Sequence, residues 1–337
     1  LLLPAFGANE GTYEFCSQYI FWTICLGGVP TVLNAALAHL IRAEGFSRQA
    51  STGMTIGALL NIVLDPIFIS ALDMQIAGAA LATMLSNLVS VGYFLFHLIP
   101  RQKSTVIVLH PRYYTLSGRI PSEILLTGLP SAFMSLMSTF SNVTLNKLMA
   151  SYNNEAIAGV GIAKKIDMLA FGVATGMSQG VVPLIGYNYS AKNFARMKKA
   201  IKTTLLLSLG VALVSAFLLF TCAHPIVKSF IDDAVTVDYG QRFQRIICIT
   251  GPCIAVTLII ITIFQSVGKK AQPLLLSLLR KGGLDIPFMF LMNAPAGVNG
   301  IVWATPIADF AAMVIALLLF LPFWRKLKDG GLSAERT

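Results

Sequence analysis

The chain has 337 residues, 55% of them hydrophobic and only 12% charged, with a mean hydropathy of +0.73. That balance excludes a water-soluble globular surface and marks an integral membrane protein. A formal charge of +10 would suggest nucleic acid in a soluble protein, but here the basic residues fall in alternate loops, where they encode orientation.

A bilayer core about 30 Å thick needs about 20 apolar residues per helix. Breakers and charged flanks then predict nine crossings, at 15–42, 48–71, 76–99, 122–151, 156–187, 197–222, 239–267, 272–292 and 298–324. The N-terminal string Leu1-Leu-Leu-Pro4-Ala-Phe-Gly7 has no initiator methionine, charged n-region or cleavage pattern. It reads as the tail of a helix already under way, not as a signal peptide, so the chain is expected to be a fragment. Arg42 and Arg48, Arg101 to Arg119, Lys192 to Lys202, Lys269 and Lys270, and Arg325 to Lys328 mark the cytoplasmic side, whereas Glu155, Asp232, Asp233 and Asp238 fall in the opposite loops.

Within 48–71, Gly53, Gly57, Asn61 and Asp65 are spaced by four and form one small or polar stripe, expected to face inward. Pro66 cannot donate to the carbonyl of Ile62, so it predicts a bend and a free acceptor near Asp65. Seventeen residues beyond Arg48, Asp65 should lie about 25 Å from the cytoplasmic end, in the outer half of the membrane. An acid inside a membrane helix is by default a candidate for ion or proton traffic. The plainer reading is that Asp65 shapes the helix and bonds to Asn61 without titrating; the cost of an intramembrane acid favours the first. In the next crossing Thr83 and Asn87 share a face, either completing an oxygen-rich pocket or bonding helix to helix.

The basic stretch 101–120 reads as a cytoplasmic linker between a partial N-terminal lobe, 1–100, and a C-terminal lobe, 121–324, followed by a tail, 325–337. In the second lobe Lys164, Lys165 and Asp167 lie inside one helix, Arg280, Lys281 and Asp285 inside another, and Asp309 inside the last. Pairing between helices is favoured over a polar relay, because both signs occur within reach. Gly176-Met-Ser178-Gln-Gly180 fits a hydrolase nucleophile pattern, but without the preceding strand that pattern requires. Gly172, Gly176 and Gly180 instead suggest close helix packing. Five cysteines without a Cys-x-x-Cys pair, four histidines without ligand spacing and no phosphate loop give no expectation of a metal site, a cofactor or an enzyme.

The halves repeat. Pro30 matches Pro252, Gly45 matches Gly268, Asp65 matches Asp285, and Gly78-Ala-Ala-Leu-Ala-Thr83 matches Gly300-Ile-Val-Trp-Ala-Thr305, at offsets of 222, 223, 220 and 222 residues. Matching helices run in the same direction, which predicts a parallel repeat. Helices across 122–222 have no counterpart before residue 15, so the fold class is an all-α polytopic, two-lobed, parallel-repeat bundle showing nine of an expected twelve crossings.

Four strings carry a family likeness: Leu40-Ile-Arg-Ala-Glu-Gly45, Asn61-Ile-Val-Leu-Asp-Pro-Ile67, Gly78-Ala-Ala-Leu-Ala-Thr83 and Ser178-Gln-Gly-Val-Val-Pro-Leu-Ile-Gly-Tyr-Asn-Tyr-Ser-Ala-Lys192. Over its whole length the chain resembles the multidrug and toxic compound extrusion (MATE) family, in its DinF-like branch. The resemblance implies two six-helix lobes around a central cavity, exporting organic cations or amphipathic drugs in exchange for protons or sodium. It implies a first-lobe cation or substrate site formed in part by Asp65, Asn61 and Thr83. A further asparagine of that site aligns with Ala38 beside His39, with Asn34 one turn earlier as the nearest alternative. A second acid would lie on a first helix outside this chain. Acids of the other large branch are not matched, since 122–151 has only Glu123 at its edge and 241–267 has none.

The expected function is therefore a secondary active antiporter working by alternating access, monomeric and multi-pass in a bacterial plasma membrane, with a cytoplasmic C-terminus. Its partners would be small amphipathic molecules and membrane lipid, not nucleic acid. The alternatives are a flippase for a lipid-linked precursor, which calls for a more basic cavity, and a membrane-embedded transferase. The transferase would need paired acids or a histidine-acid motif at a membrane face, and neither is present.

Overall fold

The computed structural model describes residues 10–101, 105–108, 112 and 118–328. Readings that fall on Leu1 to Gly7, on most of the linker 101–120 or on the tail beyond Lys328 lie outside these residues. The chain separates into two compact units, Leu1–Thr115 and Leu116–Thr337. The first holds α1 (Glu10–Ile20), α2 (Gly28–Ala43), α3 (Ser47–Pro66) and α4 (Gln75–Leu98). The second holds α5 (Ile120–Ala150), α6 (Asn154–Ser190), α7 (Phe194–Thr221), the short α8 (Ala223–Lys228), α9 (Ala234–Ile247), α10 (Thr250–Ser266), α11 (Ala271–Leu278) and α12 (Ile286–Lys328).

Among the described residues six helices are long and apolar enough to cross a membrane, or eight counting two bent pairs. One of the six runs Ala271–Leu327 over 57 residues, about 85 Å at the helical rise. Gly297 breaks that run at φ 54° and ψ −136°, so it accounts for two passes and the total agrees with nine. The crossing expected at 15–42 is not straight. A π-helical stretch, Phe21–Leu26, precedes a 50° bend. Pro30 lacks an N–H and its ring crowds the carbonyl of Leu26, which ends the regular ladder there. Pro252 stands in the same relation to Cys248, and α9 and α10 are bent by 43° at that point.

Other irregularities recur at the repeat offsets. Gly45 and Gly268 are both left-handed, at φ +92° and +76°. Each closes a helix with the same two bonds: Gly45 N–H to Arg42 O with Phe46 N–H to Ile41 O, and Gly268 N–H to Gln265 O with Lys269 N–H to Phe264 O. That is a Schellman cap, for which glycine is the residue without a steric penalty. The strings beginning at Gly78 and Gly300 share a close approach: added Cβ atoms would lie 2.8 Å from the carbonyl of Phe68 and 2.0 Å from that of Met292.

In the first unit the glycine half of the stripe is sealed by α4. A Cβ on Gly53 would meet the Phe94 ring at 2.2 Å, one on Gly57 would meet Ser90 Oγ at 2.1 Å, and the Ser90 hydroxyl donates to Gly53 O at 3.0 Å. Leu37, Ile41, Ala50, Phe94 and Leu98 form the adjoining core. By contrast, nothing lies within 4 Å of a Cβ on Gly172, Gly176 or Gly180. The close packing expected of that stripe is therefore absent among the described residues. Nor does Pro66 break its helix sharply: the turn continues as a wider π-helix, Ile67–Ala71, which absorbs the missing donor.

Two polar devices fix connections. Asp233 caps α9, accepting from the Thr236 hydroxyl at 2.6 Å and its N–H at 2.8 Å, and these bonds hold its carboxyl below the usual range. Glu44, just past α2, accepts from the Thr105 hydroxyl and from the N–H groups of Val106 and Ile107, at 2.9 and 3.3 Å. Glu44→Ala is expected to release this segment at a local cost of about 1–3 kcal/mol, seen as faster amide exchange at Val106 and Ile107 while α4 stays protected.

Candidate functional site

The first unit places its polar residues in two groups. Asn61 and Asp65 lie one turn apart on α3 and are half-buried; the Asn61 amide donates to Asp65 Oδ1 at 3.2 Å. No cation pairs with Asp65 among the described residues. Asn34 on α2 donates to Asn87 Oδ1 at 2.8 Å, and Asn87 donates onward to Thr31 Oγ1 at 2.9 Å. Among the described residues Asn34 Oδ1 is left buried without a partner. Thr83 joins neither group, because its hydroxyl donates to Ala79 O of its own helix at 3.0 Å. Among the described residues the structure joins Asn61 to Asp65 and Asn34 to Asn87, and draws no hydrogen bond between the two sets.

The second unit contains a cavity of about 670 Å³. One wall is α6, presenting Lys164, Lys165 and Asp167. Another is formed by Arg280 and Lys281 with Asp309 of α12. Arg280 and Lys281 belong to a π-helical turn, Leu279–Asp285, between α11 and α12. Such widened turns are frequent at functional sites. Gly282 lets this turn approach α5, where a Cβ would meet Met137 Sδ at 2.6 Å. Arg280 Nε bonds Asp309 Oδ1 at 2.7 Å, with side chains 3% and 1% exposed, and lies over the Phe171 ring at 5.9 Å. Lys281 Nζ reaches Asp285 Oδ2 at 3.1 Å, and the Ser141 hydroxyl donates to that same oxygen at 2.7 Å. Asp285 Oδ1 and Asp309 Oδ2 have no partner among the described residues.

The third wall was missed by sequence reasoning. Ser135, Ser138, Asn142 and Asn146 of α5 border the cavity. Their spacing of three and four puts them on one helix face. The signal was present, but a search for acids passes over neutral polar groups.

A helical membrane bundle with an acid held by a neutral amide in one unit and a cavity lined by charged and polar groups in the other is, by class, a membrane transport protein. The MatE family profile matches residues 130–291. The multidrug export protein MepA of Staphylococcus aureus is 31% identical over 318 residues, covering 93% of this chain and 69% of that protein. Among solved structures, a MATE protein in complex with MaL6 superposes with a TM-score of 0.89 at 23% identity, over 97% of this chain and 74% of that one. The outward-facing form of a multidrug resistance MATE transporter of the MOP superfamily gives 0.88 at 24% identity, over 97% and 73%. These structural likenesses show the fold. With the sequence relatives, they place the chain in the MATE family of transporters.

Proposed function

We propose that this protein is a secondary active exporter of organic cations or amphipathic drugs, driven by proton or sodium influx and working by alternating access, with Asp65 as the coupling acid. The observation that carries the reading is the contrast between acids. Asp285 and Asp309 each face a basic partner within 3.1 Å, whereas Asp65 is held by a neutral amide. A carboxylate so placed keeps an oxygen for an arriving proton or ion, and neutralising it removes the attraction for a bound cationic substrate. Occupancy of Asp65 then favours release of the substrate outside. The export activity named for the S. aureus relative supports the substrate class.

The flippase alternative calls for a large surplus of cations to hold a pyrophosphate. The second-unit charges are four basic residues to three acids, a surplus of one, short of what a pyrophosphate calls for. The test is efflux of a fluorescent organic cation from proteoliposomes of the full-length protein under imposed proton or sodium gradients. Asp65→Asn is expected to lose the gradient-driven component and to bind the cationic dye more weakly. Undiminished efflux in the variant would sink the assignment.

A further inference from the structure

The second-unit cavity holds more polar capacity than its ion pairs use. Lys164, Lys165, Arg280 and Lys281 border it; Asp167 and Asp309 border it too, and Asp285 stands behind Lys281. Arg280 with Asp309 and Lys281 with Asp285 cancel as pairs. Two ammonium groups and one carboxylate remain, so four cations against three acids leave one positive charge at the wall.

Neither Lys164 nor Lys165 makes a hydrogen bond or ion pair among the described residues. Lys164 lies within electrostatic reach of Lys281 as well as of Asp285, Asp167 and Asp309. Lys164 is half-buried and Lys165 exposed, and a ligand of opposite sign would give both ammonium groups the charged hydrogen-bond partner they lack there. The facing wall offers the uncharged donors and acceptors of Ser138, Asn142 and Asn146, and Met134, Met168 and Phe171 supply apolar and aromatic surface. A volume of about 670 Å³ falls in the range of small-molecule sites.

We infer that this cavity binds the anionic end of an amphipathic molecule, a single carboxylate, sulfonate or phosphate ester held between Lys164 and Lys165, with the apolar body against Met134, Met168 and Phe171. An organic cation in the same place would meet surplus charge of its own sign. A soluble amphipathic acid and an anionic lipid headgroup share this chemistry. The inference concerns binding alone and stands apart from the role given to Asp65.

The test is fluorescence titration of the purified full-length protein in a neutral detergent with two probes of similar apolar size, dansylglycine as the anion and dansylcadaverine as the cation. Dansylglycine is expected to bind more tightly. Combining Lys164→Gln with Lys165→Gln is expected to weaken dansylglycine by about 10- to 100-fold, as for loss of a charged hydrogen-bond donor, and to leave dansylcadaverine unchanged or tighter. Asp167→Asn is expected to tighten dansylglycine, a gain that a folding defect does not produce. In a second arm phosphatidylglycerol is added to the micelles. Displacement of dansylglycine there, but not with phosphatidylcholine, assigns the site to a lipid headgroup; no displacement assigns it to a soluble acid. Dansylglycine binding that is indifferent to loss of both lysines, or a preference for dansylcadaverine, overturns the inference. Because efflux tests Asp65 separately, either idea can fail without the other.

Discussion

Asp309→Leu is expected to destabilise the second unit by about 3–5 kcal/mol, the usual consequence of removing one partner of a buried ion pair. Arg280 and Asp309 are 3% and 1% exposed and 2.7 Å apart. Guanidinium does not lose its proton in proteins, so Arg280 would stay charged beside the Phe171 ring with its counter-ion gone. Arg280→Met should destabilise comparably, by leaving the carboxylate alone. The double replacement Arg280→Met with Asp309→Leu should recover most of either loss, because the desolvation of the pair largely offsets its attraction. Thermal unfolding of the four proteins in detergent gives the cycle. Single-variant losses below about 1 kcal/mol would mean that the pair behaves as a solvated one.

Gly300→Ala is the second large effect, about 3 kcal/mol, at the upper end for overpacking. The new Cβ would stand 2.0 Å from the carbonyl oxygen of Met292 and 2.8 Å from its carbon. Those are backbone atoms across the break at Gly297, and they cannot swing aside as a side chain does. Gly210→Ala, with nothing within 4 Å of its Cβ, is the control and should be close to neutral or slightly stabilising through helix propensity. Equal melting of the two variants would show that the approach at Gly300 is not tight.

What the sequence made legible was local. The crossings follow from apolar runs, and the Asn61 to Asp65 contact is an i, i+4 relation that any helix creates. The Lys281 to Asp285 pair spans the same four positions. Contacts across helices were not legible: Arg280 reaches Asp309 over 29 residues, and Asn34 reaches Asn87 over 53. Thr83 shows a local competitor winning, since a threonine inside a helix readily gives its hydroxyl to the carbonyl four residues back. The bend near Gly27 was missed although Pro30 was noted, because the apolar run continues through it and length alone suggested a straight span.

The two halves share their caps and proline bends, yet the helices around their matched acids are fastened differently. Near Asp65 and Asn87 the fastenings are neutral hydrogen bonds, each worth about 1 kcal/mol net. Around Asp285 and Asp309 they are charged clamps tying α5, α12 and the intervening π turn together. One half is thus compliant where its acid sits and the other stiff. A small displacement at Asp65 works against weak restraints, whereas the same displacement at Asp309 would have to break a lock.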